Sequence, residues 1–202
     1  MKMDLTAERG WCDGISRVGR WVLVCSILLL MVSQAASAQK SVTAQSMERQ
    51  GMVDVTTLDS TIHVSLMYAR PDNFTGRILY ADLREALLHP RAARALCEAQ
   101  RLLKKRRPDL SLKIYDATRP MSVQAQMWQT VVGTPQQNYV SNPRNGGGVH
   151  NYGMAVDVTL CDARSGDTLG MGTKVDHLGV ESHIDRESEL VSRHVISREA
   201  LD

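Results

Sequence analysis

The chain has 202 residues, 43% of them hydrophobic and 23% charged, with a formal net charge of +2. Those values describe an ordinary globular protein of one domain. They leave no charge excess to attract nucleic acid or another polyanion.

The first forty residues differ in kind. Arg17 and Arg20 precede an apolar run from Trp21 to Val32, and Ala36-Ser37-Ala38 stands before Gln39. A positive flank, a short apolar core and small residues at the cut are the pattern of a secretory signal peptide, here residues 1–38. The run is shorter than the roughly 20 apolar residues that a spanning helix needs. The expectation is an exported protein, periplasmic or extracellular, with no stable membrane span after cleavage. Losing four basic and three acidic residues there changes the charge from +2 to +1. Of four cysteines only Cys97 and Cys161 remain. An oxidising compartment permits a bridge between them, but nothing in the sequence brings them together, and two separately buried thiols is the reading adopted.

Residues 39–53 are polar and weakly patterned and read as a leader or first loop, ahead of a domain over 54–202. Ile62, Val64 and Leu66 alternate with His63 and Ser65, which predicts a half-buried strand, and Asn73-Phe74-Thr75-Gly76 breaks the pattern. From Pro90 the period becomes helical. Ala92, Ala95, Leu96, Ala99, Leu102 and Leu103 define the expected buried face, with Pro90 in the first turn and Lys104 to Arg107 at the C-terminal end. Leu112 to Ala117 reads as a strand, Arg119-Pro120 closes it, and Ser122 is the expected N-cap of a helix over 123–132.

Asn142-Pro143-Arg144-Asn145-Gly146-Gly147-Gly148 is strong turn chemistry, a loop that can approach a ligand closely. The strand expected over 154–160 turns Val156, Val158 and Leu160 to the core and Asp157 outward, toward the glycine loop. Asp162, Ser165, Gly166 and Asp167 suit a hairpin. The whole is expected to be one α+β domain, a mostly antiparallel sheet with flanking helices.

His150 and Asp157 carry the chemistry. Zinc favours imidazole nitrogen and carboxylate oxygen, and a catalytic site supplies three protein ligands and one open position. A straight strand would hold residues seven apart at about 23 Å, so both can reach one ion only if the glycines fold the chain back. On the residues alone, His150 as a loop histidine and Asp157 as a turn acid stay open.

The stretch Gly148 to Asp157 resembles the S-x-H-x-x-G-x-A-x-D signature of the zinc D,D-peptidases that act on peptidoglycan peptides. Three further segments are similar to their D-alanyl-D-alanine dipeptidase branch: Tyr68 to Gly76, Tyr115 to Pro120, and Met171 to Asp176 followed by Ser182-His183. The resemblance covers roughly residues 54–200. It implies one zinc ion per chain on one face of the fold, with His150 and Asp157 as ligands. It also implies Arg119 as the group that stabilises the transition state, a salt bridge to Asp116 being the competing role. Asp176 and His183 fall where the family lines its active-site rim and are weaker substrate-binding candidates. For His177, Tyr152 and Tyr68, packing or exposure is the default expectation.

The implied partner is D-alanyl-D-alanine or a related short D,D-peptide of cell-wall metabolism. A D,D-carboxypeptidase acting on muropeptides and a non-catalytic peptidoglycan-binding protein are the alternatives.

Two departures stand out. Gly148 replaces the serine that opens the signature, and no E-x-x-H follows Asp157, although the family's general base and third ligand come from such a motif. His177, His183 and His194 are preceded at that distance by Lys174, Val180 and Val191. Cys161, four residues along from Asp157, would be about 13 Å away on a strand, too far to share the ion. The expectation is a chain that stops before this segment, with weak zinc binding and little turnover.

Overall fold

The computed structural model describes residues 40–201; the expected signal peptide lies outside them. Where the sequence suggested a leader or loop, Val42–Arg49 form a helix, α1. Ser41 explains the difference: its side chain accepts from Ala44 N–H, and its own N–H and hydroxyl are held by Glu85, so a polar segment gains a cap and an anchor. Strand β1 (Val53–Asp54) follows, then α2 (Val55–Leu58), started by the Asp54 carboxylate. The strand expected around Ile62 to Leu66 is reduced to β2 (His63–Val64), and β3 (Leu87–Leu88) pairs antiparallel with β1.

The long helix α3 runs Pro90–Arg106, with Pro90 in its first turn and three basic residues in its last, as the sequence predicts. Its buried face is rotated from the expected one. Ala93, Leu96 and Gln100 are buried, while Ala95, Ala99 and Leu102 face solvent. An apolar reading passes over Gln100, yet its amide is fully satisfied inside: it donates to Thr61 and Ser111 hydroxyls at 2.9 and 2.8 Å and accepts from Leu112 N–H at 2.9 Å.

Strand β4 (Leu110–Asp116) is the centre of the larger sheet, parallel to β2 and antiparallel to β5 (Asp157–Asp162). Between them, α4 (Met121–Val131) starts directly on Pro120, whose carbonyl takes the Val123 and Gln124 N–H groups, without the expected Ser122 cap. On β5 the buried positions are Thr159 and Cys161, whereas Val158 is 42% exposed, the reverse of the sequence expectation. Cys161 sits opposite Ser111, which Gln100 covers, so the helix above selects this row. The Asp162 to Asp167 hairpin forms as expected, closed by backbone bonds between its two ends. Cys97 and Cys161 are free thiols.

The remaining chain makes short 3-10 turns and two short helices, α5 (Glu187–Ser192) and α6 (Arg198–Leu201). Two small, mostly antiparallel sheets with flanking helices make this an α+β fold. Among the described residues no helix is long and apolar enough to cross a membrane.

Candidate metal centre

An irregularity in β4 brings two carboxylates together. Ile114 pairs with Val158 but Asp116 pairs with Asp157, so Tyr115 is an extra residue on its strand. Such a bulge re-aims the side chains beyond it. Without it, Asp116 would face position 156.

The glycine loop then folds His150 back over the end of β5. Val149–Tyr152 form a 3-10 turn that ends at Gly153, with φ +65°. Gly153 also has no room for a side chain: a Cβ there would lie 2.7 Å from His89 N and 2.8 Å from Thr118 Oγ1. Reciprocal bonds lock the turn to the end of β4. Arg119 N–H donates to His150 O at 3.0 Å, and Asn151 Nδ2 donates to Arg119 O at 2.9 Å.

His150 Nδ1–H donates to Ala117 O at 2.9 Å, which leaves the Nε2 lone pair facing Asp157 Oδ1 at 3.4 Å. Burial disfavours the imidazolium, but Asp157 more than offsets it and holds the His150 pKa above its ordinary value. Asp116 completes a group of three side chains close enough to share a metal. Its position argues for another task. Asp116 is fully buried on the Nδ1 side of His150, at 3.6 Å, and its oxygens accept from Tyr80 hydroxyl and from Arg119. It orients His150 and Arg119 from behind, as carboxylates beside metal ligands commonly do. Burial pushes its carboxyl up, against the pull of Arg119, His150 and the Tyr80 hydroxyl.

Arg119 resolves an alternative posed by the sequence, because the salt bridge to Asp116 and the place in the cleft coexist. Its Nε and Nη2 donate to Asp116 at 3.0 and 2.6 Å, and Nη1 donates to Gln124 at 2.9 Å. Those bonds use three of five N–H groups. Nη2 stands 3.9 Å from Asp157, and the Tyr68 ring lies 5.2 Å from the guanidinium carbon.

Tyr68, Arg119, His150 and Asp157 line a cleft of 740 Å³. Asp176 lines it too, accepting from Tyr68 hydroxyl at 2.7 Å and Phe74 N–H at 3.3 Å, with a φ of 69°. Burial raises its carboxyl above the usual range. His183 is outside the lining; it bonds Tyr139, which is in it, at 3.1 Å. His177 reaches the cleft but is engaged by Glu181, and Tyr152 is exposed and donates to Gly146 O. Tyr68, assigned to packing, proves to be both buried and part of the site; the cation it covers is 51 residues away, beyond any local pattern. Asp116 was visible in the sequence only as a salt-bridge partner of Arg119 and Gln124 not at all, because their contacts with Tyr80, His150 and Ser141 are distant in the chain.

Comparison with known proteins gives the family. Residues 48–201 match the Peptidase M15 family model, described as D-ala-D-ala dipeptidase, and the chain belongs to that family. A D-alanyl-D-alanine dipeptidase of Escherichia coli (strain K12) is 36% identical over 132 residues, a match spanning 65% of this chain and 64% of that protein.

Proposed function

We propose that this chain is an exported zinc peptidase that cleaves D-alanyl-D-alanine or a related short D,D-peptide of cell-wall metabolism. Family membership supports the reaction class. The observation that supports the zinc and transition-state roles is that His150 Nε2 lies 3.4 Å from Asp157 Oδ1 and Arg119 Nη2 near Asp157 Oδ2, all three residues lining one cleft.

The donor set fits zinc. Ligand bonds of about 2.0–2.1 Å at a tetrahedral angle put donor atoms about 3.4 Å apart, and the two atoms are 3.4 Å apart. His150 and Asp157 would hold the ion; when bound, it supplies a Lewis acid and an activated water. Arg119 keeps its charge at all working pH values, and its fixed orientation supplies donors for an oxyanion at the cleaved carbonyl. Asp116 and Gln124 hold that guanidinium. Asp176 offers a carboxylate to the substrate's polar end, and His183 acts at the rim through Tyr139.

Among the described residues two side chains, His150 and Asp157, are assigned as ligands and none as general base, and two ligands hold zinc more weakly than three. The test is zinc titration with D-alanyl-D-alanine hydrolysis read alongside, using free dipeptide and a muropeptide pentapeptide. His150→Ala should abolish zinc binding. Retention of zinc by that variant, or preference for the pentapeptide, overturns the reading.

A further inference from the structure

Gly148 lacks the hydroxyl that opens the resembling motif, and a different residue stands in its place. A Cβ on Gly148 would lie 2.5 Å from Ser141 Oγ and 3.1 Å from Ser141 Cβ. The Ser141 side chain therefore occupies the space in which a side chain at 148 would be rooted, two residues from His150. Ser141 lines the same cleft as His150, Asp157 and Arg119.

Its position is fixed from within the protein. The Ser141 carbonyl accepts from Gln124 Nε2 at 2.7 Å, and Gln124 Oε1 accepts from Arg119 Nη1 at 2.9 Å. Gln124 is 1% exposed, so Arg119, Gln124 and Ser141 form one hydrogen-bonded unit whose centre is buried. On either side, Val140 is buried and Asn142 caps the Pro143–Asn145 turn. Among the described residues the Ser141 hydroxyl meets no hydrogen-bond partner. One donor and two acceptor sites are thus free to meet a ligand at a set distance from the guanidinium.

We propose that Ser141 is a specificity-determining residue, its hydroxyl binding a charged terminus of the peptide in the cleft, and that Gly148 is required to make room for it. The proposal rests on the D,D-dipeptide reading. It makes the swap reciprocal: serine at either position, but not both, fits the space.

Calorimetric titration of D-alanyl-D-alanine into the zinc-loaded chain tests it. Ser141→Ala should bind the dipeptide about five- to tenfold more weakly, the usual worth of one hydrogen bond, with zinc affinity and melting temperature unchanged. Gly148→Ala should weaken it similarly by displacing Ser141. Ser141→Ala combined with Gly148→Ser should recover most of the affinity. With the N-acetyl dipeptide and the dipeptide amide, the Ser141→Ala effect should vanish for the analogue lacking the contacted terminus; an undiminished effect with both overturns the assignment. Dipeptide binding by the parent chain with Ser141→Ala within twofold of it overturns the Ser141 role alone. A parent chain that binds zinc but no dipeptide overturns the functional reading, and the Ser141 role with it.

Discussion

The two walls of the cleft are built on different principles. The wall made by β4, β5 and α4 holds its polar groups in a buried network in which Asp116 alone meets Tyr80, Arg119 and His150. The other wall, contributed between Met171 and Ser182, has Asp176 as its one half-buried carboxylate among the described residues. It continues into a segment with a small apolar cluster around Leu190 and Ile196, whose ion pairs, Arg186 and Arg193 with Glu189, are exposed like that of His177 with Glu181. Charge that must be positioned to fractions of an ångström sits where water cannot compete. Charge that only keeps a segment soluble sits outside. The walls touch through few polar links, chiefly Tyr68 with Asp176 and Tyr139 with His183.

Removing Asp116 should break the first wall most severely. Asp116→Ala strands the Arg119 guanidinium, only 11% exposed, and the Tyr80 hydroxyl. A buried charge that loses its partner costs about 3–5 kcal/mol, to be read from the denaturant midpoint at constant slope. A loss below about 1 kcal/mol would mean that water already reaches the network and that the contrast between walls is false.

Glycines give the next largest difference. Gly153→Ala combines a positive φ with contacts under 3 Å to backbone and side chains and should cost about 2–3 kcal/mol, weakening zinc binding as His150 shifts. Gly172→Ala in the far wall has a φ of +94° but nothing nearer than 3.5 Å, so only the backbone penalty of about 1–2 kcal/mol applies. Equal costs for the two would place the walls on the same footing.

What the sequence made legible follows the same division. His150 and Asp157 could be named because a local glycine pattern announces the fold-back that joins them, and Arg119 because it ends a strand in a recognisable segment. Asp116 was visible only as a competitor for Arg119, since the bulge at Tyr115 that sets it opposite Asp157 has no local signature. Gln100 shifted the buried face of α3 because hydrogen-bonding partners 11 and 39 residues away decide whether a glutamine can be buried. Strands β1 and β3, two residues each, were beyond any periodicity, and the alternation around Ile62 to Leu66 yielded only the two residues of β2.

Tyr68→Phe tests the link between walls while keeping the ring over Arg119. It removes the bond to Asp176, worth about 1.5–3 kcal/mol with a charged acceptor and toward the lower end at this half-buried position. Amide exchange should quicken around Asp176 and leave β4 and β5 protected. Faster exchange in β4 would show that the walls are one cooperative unit.

The smallest effect is expected at Glu189. Hydrogen bonds from Arg186, then Arg193, hold its carboxyl below the ordinary value, and all three side chains are near half exposed. A lowered carboxyl stabilises the fold above its unfolded pKa and loses that contribution as pH falls through the folded one. Because the pairs are in water and screened by salt, the loss stays local. Glu189→Ala should leave the denaturant midpoint within error of the parent, and speed exchange only in α5. The parent itself should show the same α5 exchange on acidification or at high salt, since each removes the same attraction. If Glu189→Ala instead lowered the global midpoint as far as Asp116→Ala, the far wall would have to carry stability through charges that the solvent screens, and burial would no longer explain why the site residues stand where they do.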